Sequence, residues 1–217
     1  MPLPKAVRRL TPDRLRHSVP LRALAVGSGA IPPRTMHTRE EAELLARLAA
    51  GRRRAVEIGV YEGSSAVVLC AALPADAALH LVDPFTGNAL RPGWRATESA
   101  TRRVVGRAVR ARGGPRVVWH PVTSAEAAAG WDARVDLVFV DGDHTERGAR
   151  ADWDAFSPWV EPGGVVLFHD AREGHAGGRG LPGPTAVADA LREGDAPGWA
   201  IVAEQDSTVA FERLALS

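Results

Sequence analysis

Short apolar runs alternate with helical patterns through most of this chain, and that alternation leaves little choice of architecture. AVEIGV (55–60), LHLVD (79–83), RVVWHPV (116–122), VDLVFVD (135–141) and GVVLFHD (164–170) read as strands. The fourth is apolar enough to be covered on both faces, as a parallel sheet requires. Between them lie SSAVVLCAAL (64–73), a longer helical stretch from Ala96 to Arg112 burying Ala100, Val104 and Ala108, SAEAAAGW (124–131), and a helix through Arg150, Trp153 and Phe156. Repeated strand–helix–strand units build a parallel sheet. Ahead of them, Thr38 and Glu41 make a T-x-x-E capping box, and Ala42, Leu44, Leu45, Leu48 and Ala49 give the following helix its apolar face. Behind them the rhythm breaks. A Gly-rich loop (174–184) and the helix TAVADALRE lead to WAIVAE (199–204) and TVAFER (208–213), with only Gln205, Asp206 and Ser207 between them. That spacing predicts a hairpin, so the chain is expected to form a doubly wound, mostly parallel α/β sheet that ends in an antiparallel pair.

Residues 1–36 stand apart from this domain, which is expected to occupy residues 37–217. They carry Lys5, Arg8, Arg9, Arg14, Arg16 and Arg22 against one acid, Asp13, and are interrupted by Pro2, Pro4, Pro12, Pro20, Pro32 and Pro33. Two readings stay open: a mobile arm, or an ordered extension that covers a site or a second copy in a homo-oligomer.

The whole chain of 217 residues has a formal charge of only +1, so no global field points to nucleic acid. No apolar run approaches the ~20 residues of a membrane span, and MPLPKAVRRL lacks the apolar segment of a secretory leader. A cytoplasmic protein is expected, with Cys70 as a buried thiol.

Right-handed crossovers bring the carboxyl ends of parallel strands to one edge of the sheet, where such folds bind ligands. Here that edge is acidic. Strand one runs into E-I-G-V-Y-E-G-S-S (57–65) and strand two ends in Asp83. Strand four ends in Asp141, with Asp143 and His144 just beyond, and strand five ends in His169 and Asp170. One terminal acid is readily a helix cap, but repetition at four strand ends points to a site. Gly59 and Gly63 allow a tight turn close to a ligand, yet Tyr61 stands where a dinucleotide fingerprint needs its second glycine. A bulky residue there bars a pyrophosphate but admits the amino-acid end of a nucleoside ligand. With Asp83 placed to chelate ribose hydroxyls, the pattern favours S-adenosylmethionine over NAD.

The ordered set V-E-I-G-V-Y-E-G-S-S, L-V-D-P-F, V-D-L-V-F-V-D-G-D-H and P-G-G-V-V-L-F-H-D resembles the motifs of class I S-adenosylmethionine-dependent methyltransferases. The likeness is nearest to the macrocin-type and mycinamicin-type sugar O-methyltransferases and spans roughly residues 37–213. It implies a seven-stranded Rossmann-like sheet of order 3-2-1-4-5-7-6, strand seven antiparallel. Carried over by position, Glu57, Gly59, Tyr61, Gly63 and Ser64 would surround the methionine part of the cofactor. Asp83 would hold the ribose and Ser124 would contact adenine, with Asp141 closing the crevice. Asp141 and Asp170 match acids that bind magnesium in metal-dependent members, and Ala171 departs from them where a further ligand is usual. His144 matches a general base, and Asp143 an aspartate given that role in another branch.

A sugar hydroxyl needs such a base, or a cation, before it can attack a sulfonium methyl. The expected activity is methyl transfer to a hydroxyl of a small, natural-product-like acceptor. Its competitors are an NAD-dependent oxidoreductase, which the missing glycine opposes, and a non-catalytic binding protein on the same fold. Trp94, after the loop that follows Asp83, is the tryptophan expected nearest a ligand.

Overall fold

A computed structural model describes residues 18–86, 96–172 and 180–215. Residues 1–17 of the basic segment, Trp94, and most of the Gly-rich loop with His175 lie outside the described residues. The elements in chain order are α1 (Val19–Ser28), α2 (Arg39–Ala49), β1 (Arg54–Ile58), α3 (Ser64–Ala72), β2 (Ala78–Val82), α4 (Ala96–Arg112) and β3 (Arg116–His120). There follow α5 (Ser124–Ala129), β4 (Val135–Val140), α6 (Glu146–Phe156), β5 (Val160–Phe168), α7 (Pro182–Ala190), β6 (Trp199–Gln205) and β7 (Thr208–Arg213).

The seven strands form one sheet of order β3-β2-β1-β4-β5-β7-β6. β1 to β5 pair in parallel, and β7 runs antiparallel to both β5 and β6. This is the order that the motif resemblance implies. β4, at the centre, is buried along its whole length. Its one acid, Asp136, is tolerated at the strand's start because its carboxylate accepts the backbone N–H groups of Arg53 and Arg54.

Side chains alternate between the two faces of the sheet. On one face Val56, Ile58, Val138, Val140 and Phe168 pack with Trp153 and Phe156 of α6 and Val187 of α7. On the other, Leu79, Leu81, Leu137, Phe139 and Leu167 pack beneath Leu45 of α2 and Leu69 of α3. The Thr38–Glu41 capping box forms as read, with the Thr38 hydroxyl accepting from Glu41 N and the Glu41 carboxylate accepting from Thr38 N.

Residues 18–36 carry a helix, α1, which packs on α4. Gly27 lies so close to α4 that a Cβ there would sit 3.3 Å from the Ala100 Cα. Arg107 of α4 donates to the carbonyls of Val26 and Gly27 and so satisfies the open C-terminal end of α1. None of the described helices is long and apolar enough to cross a membrane.

All five parallel strands stop one or two residues short of their sequence-based limits, and two of these stops build the site. β1 ends at Ile58 because Gly59 turns into left-handed backbone at φ 84°. β5 ends at Phe168, and Asp170, at φ 55°, swings out of the ladder.

Candidate active site

β1 lies between β2 and β4, so the β1 turn, Asp83 and Asp141 share one crevice at the carboxyl edge, where the direction of winding reverses. The turn is tight: Gly59, Tyr61 and Gly63 all have positive φ. A Cβ on Gly59 would lie 2.0 Å from the Asp141 carbonyl oxygen, so only glycine lets the ends of β1 and β4 meet. Gly63 caps α3, and Ser64 is that helix's first residue. Asp83 accepts the N–H groups of Val60 and Tyr61 at 2.9 Å through Oδ2, and that of Phe85 at 2.7 Å through Oδ1. The strand-two acid therefore braces the turn as well as bordering it.

Glu57 lies under this turn, fully buried. Its Oε1 accepts from the Ser65 hydroxyl at 2.5 Å, and its Oε2 has no hydrogen-bond partner among the described residues. Burial pushes its pKa up to about 8, and Asp141 and Asp83 add to the effect. A buried acid with one open oxygen suits a cationic ligand group.

The other half of the crevice is a cluster. His144 Nε2 stands 3.3 Å from Asp141 Oδ1 and 3.7 Å from Asp170 Oδ2. The ring is part-exposed, and its pKa is raised, first by the Asp141 bond. The helix cap that competes for this position is not His144: the Thr145 hydroxyl caps α6 by accepting from Gly148 N. Behind the carboxylates lies a second imidazole, His169, 2% exposed, with Nδ1 3.3 Å from the same Asp141 Oδ1 and 3.6 Å from the same Asp170 Oδ2. Its Nε2 is 3.3 Å from Glu41 Oε2. Burial works against a charged ring there, but Asp141, Asp170 and Glu41 outweigh it and hold the pKa up at about 12. For Asp141 burial alone would raise the pKa, and the bond to His144 and the nearby His169 ring lower it instead.

Asp143 and Ser124 turn elsewhere. Asp143 is exposed, and its Oδ1 accepts from Thr145 N at 3.0 Å, the mark of a turn-forming aspartate. The Ser124 hydroxyl is buried and donates to Asp152 Oδ1 at 2.5 Å. Asp152 lies beneath the D-G-D-H loop: a Cβ on Gly142 would meet its Oδ2 at 2.5 Å. Burial pushes the Asp152 pKa up to about 6. Gly183 seats α7 on the same loop, since a Cβ there would lie 2.3 Å from the His144 carbonyl oxygen.

Glu57, Gly59, Tyr61, Gly63, Ser64 and Asp83 thus form one wall, and Asp141, His144 and Asp170 the other. Sequence reasoning placed His169 at a strand end and Glu41 in a capping box but missed that they pair beneath the carboxylates, and it missed Ser65 on Glu57 and the bidentate pair of Arg22 with Glu62 in the turn. The donors of Asp141, Asp170 and His144 lie within 4.8 Å of one another, which fits a divalent cation. Ala171 contributes only a buried methyl there.

The mostly parallel sheet carries an acidic crevice at its switch point, the place where open α/β sheets bind ligands. Residues 56–171, more than half of the chain, match the family model of a methyltransferase domain, and the chain belongs to that family. Its fold is similar to the O-methyltransferase TomG of Streptomyces achromogenes, involved in tomaymycin synthesis and solved with S-adenosylmethionine. That pair is 17% identical with a TM-score of 0.63, covering 97% of this chain and 95% of TomG. It is similar also to an O-methyltransferase of Bacillus cereus solved with S-adenosylhomocysteine (17% identity, TM-score 0.61, 96% of each chain). A third likeness is to the N-methyltransferase NodS of Bradyrhizobium japonicum (17% identity, TM-score 0.52, 82% of this chain and 96% of NodS). At such identities the likeness establishes the fold; the atom that receives a methyl group is a matter for the site.

Proposed function

We propose that the protein transfers the methyl group of S-adenosylmethionine to a hydroxyl of a small molecule. The observation that carries this reading is His144, held by two strand-end carboxylates opposite the cofactor wall. The open Oε2 of Glu57 would receive the ammonium of the cofactor's methionine part, and Asp83 the ribose hydroxyls. Methyl transfer is an in-line displacement: the acceptor oxygen forms its bond to the methyl carbon as the carbon–sulfur bond breaks, and the oxygen's proton must leave. His144 takes that proton in its neutral form. Nε2, which faces the two carboxylates, carries the ring's own proton in that form, so Nδ1 is the accepting nitrogen, and the imidazolium that results is stabilised by Asp141 and Asp170. The same two carboxylates, with His144 beside them, would hold magnesium, which supplies positive charge toward an acceptor oxygen when bound. A hydroxyl rather than an amine is favoured because a protein base and two carboxylates are assembled for removing a proton from a weak acid.

The test is single-turnover methyl transfer across candidate hydroxyl acceptors with labelled cofactor. His144→Ala is expected to lower the rate by roughly 100- to 10,000-fold while S-adenosylhomocysteine affinity stays near wild type. Asp143→Ala is expected to leave the rate near wild type; a collapse there with a normal His144→Ala rate would move the proton to Asp143. Excess chelator is expected to depress turnover and added magnesium to restore it, and full activity in chelator would leave the carboxylates as partners of His144 alone.

A further inference from the structure

His144 touches the two carboxylates from the crevice; His169 touches the same two oxygens from the core. Asp141 Oδ1 is 3.3 Å from each ring, and Asp170 Oδ2 is 3.7 Å from His144 and 3.6 Å from His169. Two anionic oxygens gathered at one spot repel each other, and neither strand end by itself would bring them together. Asp170 even reaches the spot from left-handed backbone, which its surroundings must enforce. It is held by Leu181 N donating to its carbonyl at 2.7 Å, and by the Ser207 hydroxyl 3.3 Å from its Oδ1.

We infer that His169 is a positioning residue: its Nδ1, which makes no aligned hydrogen bond among the described residues, stands within ion-pair distance of both Asp141 Oδ1 and Asp170 Oδ2, so the ring's charge draws the two oxygens together toward His144, and Glu41 anchors it there. His169 touches no crevice space, being 2% exposed, so it can act only through the carboxylates. Phe139 closes one flank of its ring, with centroids 6.1 Å apart. Glu41, 3% exposed, is unusually well held for a helix N-terminal acid. Its Oε1 accepts from Ser207 N at 2.9 Å and from the hydroxyls of Ser207 and Thr208 at 2.6 and 3.3 Å, while its Oε2 accepts from Thr38 N at 2.8 Å. One carboxylate thus ties the first turn of α2, the β6–β7 hairpin and the His169 ring into one support. The capping box does double duty: the acid that closes α2 is also the counter-ion that fixes the second imidazole.

This inference rests on the methyl-transfer reading, and the two nitrogens of the ring let a test separate positioning from packing. His169→Gln keeps a donor near the Nε2 position, toward Glu41, and loses the one facing the carboxylates; His169→Asn does the reverse. The expected result is a single-turnover rate reduced roughly 10- to 100-fold in His169→Gln, recovered in part by His169→Asn, with cofactor affinity within about 2-fold of wild type in both. In a His144→Ala background, His169→Gln is expected to cost little more, because its effect runs through His144. A wild-type rate in His169→Gln overturns the inference, as does an equal fold-loss with and without His144, or equal loss in the two His169 variants. A wild-type protein that transfers methyl groups to no hydroxyl sinks the functional reading instead. Crystal structures then decide the inference without turnover: in His169→Gln the Asp141 and Asp170 oxygens are expected to draw apart, and carboxylates that stay in place overturn it.

Discussion

Beneath the glycine turn, Glu57 would couple ligand binding to a proton if it receives the cofactor's ammonium as proposed. With its pKa pushed up to about 8 by burial, the acid is largely protonated at pH 7. A cationic ammonium at Oε2 favours the ionised form, so S-adenosylhomocysteine binding at pH 7 is expected to release close to one proton from this site, less as the pH rises past 8. Calorimetry in buffers of differing ionisation enthalpy measures that release directly. Glu57→Gln is expected to abolish it and to weaken binding by roughly 10- to 100-fold, the worth of a charge-assisted hydrogen bond. The same shift has a sign for stability. The folded-state pKa lies above the unfolded carboxyl value, ~4.3, so the folded protein binds more protons between those limits. Without ligand, this residue's contribution to stability is full below the unfolded value and falls as pH rises toward 8. Urea midpoints of wild type and Glu57→Gln compared at pH 5 and pH 8 would show it, the difference moving in favour of the variant at the higher pH.

The turn between β1 and α3 is held from two sides, and each side makes a prediction. From β2, the Asp83 carboxylate accepts three backbone N–H groups. Asp83→Ala is therefore expected to lower stability by about 1–3 kcal/mol as well as weakening cofactor binding, because the amides of Val60 and Tyr61 lose their acceptor. From α1, Arg22 grips Glu62 through Nε and NH2, at 2.5 and 2.7 Å, and Arg34 N donates to the same carboxylate at 2.7 Å. Glu62 is 6% exposed, so removing Arg22 would strip a buried carboxylate in the β1–α3 turn of its bidentate partner. Arg22→Ala is expected to loosen α1, read as faster amide exchange in residues 19–28, and to weaken cofactor binding; unchanged exchange would show that the Arg107 bonds alone hold the helix. At this scale the basic segment has a use in its described part: it clasps the turn between β1 and α3.

Across the whole molecule, the site exists because two strands at the sheet's centre are pressed together. Ile58 O accepts from Asp141 N at 2.8 Å, and His169 N donates to Val140 O at 3.0 Å, so the β1 and β5 ends are both tied to the end of β4 between them. Gly59→Ala would push a methyl into the Asp141 carbonyl and force an alanine into left-handed backbone. We expect a loss of about 2–6 kcal/mol, the sum of overpacking and backbone strain, with loss of methyl transfer in whatever folds. Urea unfolding checks the first and single-turnover kinetics the second. A variant with wild-type stability would show that the seam can open without cost.

The sheet was legible in the sequence because burial on both faces writes itself as short apolar runs, and the short Gln205–Asp206–Ser207 spacer between the last two runs marked the antiparallel pair. The strand-end acids were legible too, since a charged residue closing a buried run is chemically conspicuous in one dimension. What the side chains do there was decided only by the tertiary structure. Asp143 and His144 are near neighbours in sequence with similar credentials, yet one closes a turn on Thr145 and the other reaches two carboxylates. Ser124 looks free at the start of a helix and is committed to Asp152, 28 residues on. Glu41 reads as a cap, which it is, and its second partner, His169, lies 128 residues away. Local pattern follows from backbone periodicity and from contacts a few residues apart, so the sequence alone determines it. Partnership across the crevice depends on strand order and on where two glycines let the chain fold back, and that is settled only when the whole sheet has closed.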